Sequence, residues 1–174
     1  MEEEVTYFYE NWEFWIGILS VIVTAGLGIA VWYSTNKYND TQLSLASHQL
    51  QKELFTEFNQ RYDKLNGSLE KITQYKSLAE LKKEKPKKQQ FLRDKLNDYF
   101  NLCAEEYYWH KNKRIDDDLW KSWEVGMNAW YDNHKIIREA WAKEYESFGY
   151  ESFYLKKDEQ FFKAYKKYVT ANKI

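Results

Sequence analysis

The sequence predicts an all-α protein with one N-terminal transmembrane helix, followed by a long helix and a helical-bundle domain. Residues 14–33 form one run of twenty residues without a charge. The whole 174-residue chain contains one proline and six glycines, which are the residues that most disfavour helix interiors. No stretch alternates apolar and polar residues in the way that a half-buried strand does. These observations together favour long helices and no sheet.

The uncharged run reads FWIGILSVIVTAGLGIAVWY. At about 1.5 Å per residue such a helix is about 30 Å long, which matches the hydrocarbon core of a bilayer. The residues before it are acidic and include no lysine or arginine, whereas a signal peptide has a basic start and a shorter apolar core. We therefore predict an acidic extracytoplasmic tail at 1–13 and a transmembrane helix at 14–33.

Charge sets the expected orientation of this span. All 26 lysines and arginines follow residue 33, so the positive-inside rule places the N-terminus outside and residues 34–174 in the cytosol. We expect the inner (plasma) membrane of the cell. Aromatic side chains flank the span, where rings with one polar end prefer the lipid headgroup region. The expected interface anchors are Trp12, Trp15, Trp32 and Tyr33.

Small and hydroxyl side chains share one face of the predicted span. At 100° per residue, Gly17, Ser20, Thr24 and Gly28 fall within an arc of about 80°. Such residues are common in membrane helices and can be without consequence, but they also allow close helix packing and hydrogen bonds between helices. The functional interpretation is self-association, with Ser20 and Thr24 facing a central pore. One helix cannot enclose a pore, so conduction requires an oligomer.

A second stripe follows the span. Apolar residues recur at spacings of three, four and seven from Leu43 to Ile72, which predicts one long helix running to about Glu80. Lysines then surround Pro86, where we expect a solvated turn because proline ends a helix. The alternative is a contact with anionic lipid or with RNA. The lysines concerned are Lys82, Lys83, Lys85, Lys87 and Lys88.

Four further helices are expected after this turn. The first covers about 88–111, and the second begins at Asp116, because an aspartate before an apolar-periodic run is an N-cap signal. This interpretation of residues 116–118 is favoured over a metal site. Asp132 or Asn133 would cap the next helix, a loop would follow at 147–152, and a last helix would run from Asp158 to about Val169.

Few residues are arranged for chemistry. The histidines His48, His110 and His134 are far apart, and no Gly-rich phosphate loop or nucleophile elbow is present. Glu106 and His110 lie four residues apart, as an acid–base pair or a simple helical ion pair would. Cys103 is the single cysteine, which excludes an internal disulfide, and we interpret it as a core residue. We expect no enzymatic activity, no cofactor or metal and no small-molecule substrate.

The layout of the chain resembles the small single-pass membrane accessory proteins that are encoded beside the RNA-guided, RNA-targeting effector of type VI-B CRISPR systems. The resemblance rests on the acidic tail, the N-terminal span, the long helix after it, and the block YFNLCAEEYYWHKNKRIDDDLWKSWEVGMNAW at 99–130. It implies a HEPN-like helical cytosolic domain and a homo-oligomeric pore that supports antiviral defence by permeabilising the membrane. The implied partners are other copies of the chain, membrane lipid, and the effector or its RNA products.

HEPN ribonucleases carry an arginine followed by a histidine one to two helical turns later. None of Arg61, Arg93, Arg114 and Arg138 has a histidine at such a distance. The leading hypothesis is therefore a pore or another membrane-permeabilising effector. The alternative is a non-conducting membrane scaffold or sensor that recruits a cytosolic partner, and a membrane-tethered ribonuclease ranks third.

Overall fold

The computed structural model describes residues 12–165, and this part of the chain is all-α, as the sequence predicts. Within these residues there is no strand. The described chain divides into two compact units, with the boundary between His48 and Gln49. The helices are α1 (Trp12–Thr73), α2 (Leu78–Leu81), α3 (Pro86–Lys111), α4 (Asp117–Asn133) and α5 (Lys135–Phe148), followed by a 3₁₀ helix (Tyr150–Phe153).

The first unit consists, in its described part, of α1 from Trp12 to His48. By length and composition, α1 is the one helix of residues 12–165 that could cross a membrane, and no residue of its most apolar 18-residue stretch is buried. The helix begins at Trp12, so the last two residues of the predicted tail are helical. The rest of that tail lies outside the described residues.

The second unit begins with the remainder of α1, which confirms the predicted stripe from Leu54 onward. Leu43 is exposed, at 71%. The helix ends at Thr73, so the expectation that it runs to about Glu80 is wrong. The buried stripe residues are Leu54, Phe58, Leu65, Leu69 and Ile72.

Local hydrogen bonds explain this early end. Ser77 is the N-cap of α2 and its side chain accepts a hydrogen bond from the Glu80 amide at 3.3 Å. The Glu80 carboxylate in turn accepts one from the Lys76 amide at 2.7 Å. This arrangement resembles a capping box, which satisfies amides at the start of a new helix. The chain therefore turns between α1 and α2 instead of continuing.

The starts of α3 and α4 follow capping chemistry. Pro86 is the first residue of α3, so it begins a helix where the sequence analysis expected it to end one. Proline is favoured at this position because its missing N–H would have no partner there. Asp116 caps α4 as predicted, with its Oδ1 accepting a hydrogen bond from the Leu119 amide at 2.7 Å.

The start of α5 differs from the prediction. Its N-cap is His134, which makes no side-chain capping bond, so neither Asp132 nor Asn133 caps this helix. The last turn of α4 is stabilised instead by Arg138, whose Nη1 donates to the carbonyl oxygens of Tyr131 at 2.9 Å and Asp132 at 2.5 Å. Basic groups near a helix C-terminus satisfy carbonyls that have no partner within the helix.

The C-terminal part departs furthest from the prediction. The expected loop at 147–152 is largely helical, since α5 continues to Phe148 and the 3₁₀ helix follows. The helix predicted from Asp158 does not start there, because residues up to 164 form turns and bends and Asp158 has a φ of +67°. Within these turns both Phe161 and Phe162 are buried in the core. The end of that predicted helix lies outside the described residues.

Trp141 is at the centre of the core. It is fully buried, and its ring centroid lies 5.2 Å from that of Phe100 in α3 and 4.7 Å from that of Phe153 in the 3₁₀ helix. Phe161 and Phe162 lie at 4.8 and 5.3 Å. Each such aromatic pair adds about 0.5–1.5 kcal/mol beyond the burial of its area. The cluster joins three elements and the C-terminal turns.

Two glycines should respond oppositely to alanine. Gly126 lies inside α4, and an added Cβ would meet no atom within 4 Å, so Gly126→Ala should raise the free energy of unfolding by about 0.5–1 kcal/mol. Gly149 ends α5 with a φ of +75° and ψ of 168°, so Gly149→Ala should lower it by about 1–3 kcal/mol. Thermal unfolding of the detergent-solubilised chain, followed by near-ultraviolet circular dichroism, measures both. Shifts of the same sign would contradict the assignment.

Candidate functional site

A cavity of about 170 Å³ lies between α1, α3 and α4. Its opening is at Ser122 and Gly126, which are the exposed residues of its lining on α4. The remaining lining is aromatic and apolar with one carboxyl group at its inner side. The residues that determine its chemistry are Tyr62 of α1, Tyr99, Cys103 and Glu106 of α3, and Trp123 and Met127 of α4.

Glu106 is the buried acid of this cavity, with 6% of its surface exposed. Burial removes water from the carboxyl group and raises its pKa from the ordinary 4.5 to about 8. The charge of Glu105 raises this pKa further, while that of Arg61 opposes both effects. Since no described residue donates a hydrogen bond to it, the carboxyl group of Glu106 is mostly protonated at pH 7.

Arg61 cannot fully neutralise Glu106 because its guanidinium group pairs with a different carboxylate, that of Glu105. Its guanidinium group binds the carboxylate of Glu105 in a bidentate pair, with Nη1–Oε2 at 2.5 Å and Nη2–Oε1 at 2.9 Å. This geometry is the strongest that arginine forms with a carboxylate. Glu105 and Glu106 therefore differ sharply although they are neighbours in sequence: the first is paired and half-exposed, and the second is buried without a counter-ion.

Hydrogen bonds and burial fix the cavity wall. The Tyr99 hydroxyl donates to the Met127 carbonyl at 3.3 Å, and the Trp130 Nε1 donates to the Tyr62 hydroxyl at 2.7 Å. Burial raises the pKa of Cys103 well above its ordinary value. This thiol therefore stays protonated, which makes it a poor nucleophile. Cys103 is buried and free, in agreement with its interpretation as a core residue.

The predicted pair of Glu106 and His110 is not formed. Among the described residues, His110 instead stacks on Trp120, with ring centroids 4.8 Å apart. Its Nδ1 lies 3.9 Å from the carboxylate of Asp117, while Glu106 faces the cavity. The four-residue spacing places two side chains on one face of a helix, but here they meet different residues of α4: Glu106 lines the cavity with Trp123 and Met127, and His110 stacks on Trp120.

The small-residue face of α1 is exposed throughout. The hydroxyl of Thr24 donates to the Ser20 carbonyl oxygen at 2.8 Å, so its hydrogen is already bonded within the helix. A Cβ added at either Gly17 or Gly28 meets no atom within 4 Å. The face is therefore available for packing against another molecule. The expected interface anchors are also exposed: Trp12, Trp15, Trp32 and Tyr33.

The five lysines predicted as a basic turn are all exposed. Lys82, Lys83 and Lys85 lie in the connection between α2 and α3, and Lys87 and Lys88 lie in the first turn of α3. Lys88 forms an ion pair with Glu84 at 3.1 Å and lies over the ring of Tyr75 at 5.6 Å. Within residues 12–165, the other four make no ion pair with an acidic side chain. They are Lys82, Lys83, Lys85 and Lys87. A solvated turn and a contact with an anionic surface remain the two interpretations.

No group of three histidine, cysteine or acidic side chains that could hold a metal occurs in the described part of the chain. Asp116 acts as a helix cap and accepts a hydrogen bond from Gln51. The histidines are not brought together with carboxylates into a ligand set. Comparison with protein-family models, with curated protein sequences and with solved structures gives no match for this chain. The structure therefore defines the class: an all-α protein with one helix that could cross a membrane.

Sequence reasoning missed the cavity. Its signal is a glutamate on an apolar helical face, because Glu106 follows Tyr99 by seven residues and Cys103 by three, positions that a helix places together. That spacing identifies an unusual acid. It does not reveal that α1 and α4 leave a space beside it.

Removing the buried acid should change how stability depends on pH. An unfolded glutamate loses its proton near pH 4.5, whereas folded Glu106 keeps it until about pH 8. The free energy of unfolding therefore falls by about 1.4 kcal/mol per pH unit within this window. Gln resembles the protonated acid, so Glu106→Gln should match the wild type near pH 4.5 and exceed its free energy of unfolding by about 4–5 kcal/mol at pH 8.

Thermal unfolding of detergent-solubilised protein from pH 4.5 to pH 8.5 measures this difference. Glu53→Gln is the matched control, since Glu53 is exposed on α1 and its substitution removes the same charge. The control curve should run parallel to that of the wild type. Equal unfolding temperatures for wild type and Glu106→Gln at pH 8 would contradict the burial of an uncompensated acid.

Proposed function

We propose that this protein is a single-pass protein of the cell inner membrane and that several copies assemble to permeabilise it. The observation that carries the proposal is the exposure of the uncharged part of α1, where none of the most apolar 18-residue stretch is buried. Each large apolar side chain left in water costs roughly 1.5–3 kcal/mol relative to its burial. Lipid is the surface that covers a helix apolar on all sides.

Charge and aromatic placement support one orientation for this span. The basic residues all follow it, so the N-terminus lies outside and the domain from residue 34 lies in the cytosol. Exposed tryptophans at both ends of the uncharged run suit the headgroup region. The exposed lysines around Pro86 add positive charge to the domain, which an anionic lipid surface attracts.

The small-residue face of α1, formed by Gly17, Ser20, Thr24 and Gly28, would make the contacts between copies. Glycines allow helix backbones to approach closely. The hydroxyls of Ser20 and Thr24 can accept hydrogen bonds from water in a lumen, and Thr24 still has lone pairs free after donating to the Ser20 carbonyl. Because one helix cannot enclose water, permeabilisation requires a ring of copies.

A role in CRISPR-linked antiviral defence is part of the proposal and is supported by the sequence resemblance alone. In this role the membrane would be depolarised or permeabilised once the RNA-guided effector has recognised viral RNA. The cytosolic domain would then receive the activating signal from the effector or from its RNA products. No catalytic residue is needed, since ions move down their own gradients.

Two glycines of the span give a matched test. Gly28 lies on the small-residue face, while Gly26 is about 160° away around the helix. Gly28→Leu should block close packing and reduce dye release from vesicles at least tenfold, and Gly26→Leu should leave it unchanged. Ser20→Leu and Thr24→Leu should likewise abolish release if these residues line the lumen. Protease protection of vesicles checks that every variant inserts.

The mass of the assembly in mild detergent distinguishes the alternatives. A ring of several copies with an axial opening supports the pore. A monomer or dimer, with dye release equal to that of empty vesicles, would overturn the pore and favour a non-conducting scaffold that recruits a cytosolic partner. Cleavage of RNA by the purified chain, lost in His110→Ala, would favour a ribonuclease instead.

A further inference from the structure

We propose that the cavity between α1, α3 and α4 is a binding site for a small organic cation, an amine with a compact apolar body, with Glu106 as its counter-ion. This proposal concerns the helical domain and is independent of whether the chain permeabilises membranes. Two observations carry it together. The cavity of about 170 Å³ reaches the exposed residues Ser122 and Gly126, and Glu106, which also lines it, is more than nine-tenths buried as a residue and accepts no hydrogen bond from the described residues.

The residues that line the cavity favour a ligand that is positively charged and partly apolar. Tyr62, Tyr99 and Trp123 contribute aromatic surface, and Cys103 and Met127 contribute sulfur and apolar surface. Aromatic faces attract cations, and a buried carboxylate is stabilised when an ammonium group donates hydrogen bonds to it. An anionic ligand would meet Glu106 and no cation in the lining. A neutral ligand could bind while Glu106 keeps its proton, but it would form no ion pair with this residue.

The volume limits the ligand's size. An apolar cavity of about 150 Å³ in a protein core is large enough for benzene. The cavity here therefore accommodates a benzene-sized body with a short ammonium arm. The apolar body supplies attraction through burial, because a buried ion pair alone does little more than offset the desolvation of its two charges. Longer amines would extend past Gly126 into solvent.

Binding should release a proton. Below about pH 8 Glu106 holds its proton, and the carboxyl group must lose it to pair with an ammonium group. The neighbouring ionisable groups are Arg61 and Tyr62 on α1 and Glu105, Tyr99 and Cys103 on α3; the lining residues of α4 are not ionisable. Arg61 and Glu105 neutralise one another, and burial keeps Tyr99 and Cys103 protonated. Glu106 is therefore the group that titrates.

Benzylamine is the probe, and full-length protein in mild detergent is the sample. Isothermal titration calorimetry should show one saturable site and close to one proton released at pH 7, measured from titrations in two buffers of different ionisation enthalpy. The affinity should be about tenfold lower at pH 6 than at pH 7 and should level off above pH 8, as a single linked proton requires. Benzyl alcohol, a neutral molecule of the same shape, should bind with no pH dependence.

Three variants complete the test. Glu106→Gln should fold, because glutamine resembles the protonated acid, and should bind benzylamine at least tenfold more weakly and without pH dependence while keeping its affinity for benzyl alcohol. Gly126→Leu should fill the opening and remove the binding of both compounds. Glu53→Gln, which removes an exposed charge from α1, should change neither.

Three results would overturn the site. The first is the absence of saturable benzylamine binding to the wild type at pH 8. The second is equal benzylamine affinity in Glu106→Gln and the wild type, which would show that the carboxylate is not the counter-ion. The third is an affinity that does not change between pH 6 and pH 8. Dye release by the same preparations is measured separately, so loss of the pore and loss of the cation site remain distinguishable.

Discussion

The packing of aromatic rings around Trp141 is the interaction on which the helical domain depends. This ring touches Phe100 of α3, Phe153 of the 3₁₀ helix, and Phe161 and Phe162 of the C-terminal turns. The 3₁₀ helix and the C-terminal turns are too short to be stable alone, because short isolated helices are marginal in water. The cluster supplies the buried area that orders them, and it requires the chain to turn at Asp158 rather than continue as a helix.

α1 carries two kinds of surface along one helix. Its uncharged part is exposed on all sides, and its later part buries a narrow stripe from Leu54 to Ile72. Lipid is proposed to cover the first, and α1 residues of the second pack within the helical domain. A helix that is apolar on all sides suits lipid, and a helix with one apolar stripe suits packing on one side and water on the other. The two parts of α1 have these two patterns in turn.

Burial of Glu106 lowers the stability of the folded domain, and a binding function would explain why an acid stands at this position. An acid whose pKa is raised by burial lowers stability at every pH above its ordinary range, and an apolar side chain of similar size would avoid this cost. Buried acids with strongly raised pKa values cluster at functional sites in proteins. The position of Glu106 beside a cavity therefore supports a ligand site.

The sequence alone determined the all-α class, the uncharged span, the buried stripe from Leu54, the end of α3 at Lys111 and the cap at Asp116, because these follow from periodicity and local hydrogen bonds. The structure was needed to show where α1 ends and how α5 begins, because several local caps compete there and the bonds of Ser77 and Arg138 decide between them. The turns after Asp158 depend on contacts with distant rings, which no local propensity encodes. The tertiary structure alone also revealed the cavity beside Glu106. A cavity between three helices depends on how the helices pack against one another, and the sequence of a single helix does not encode this packing.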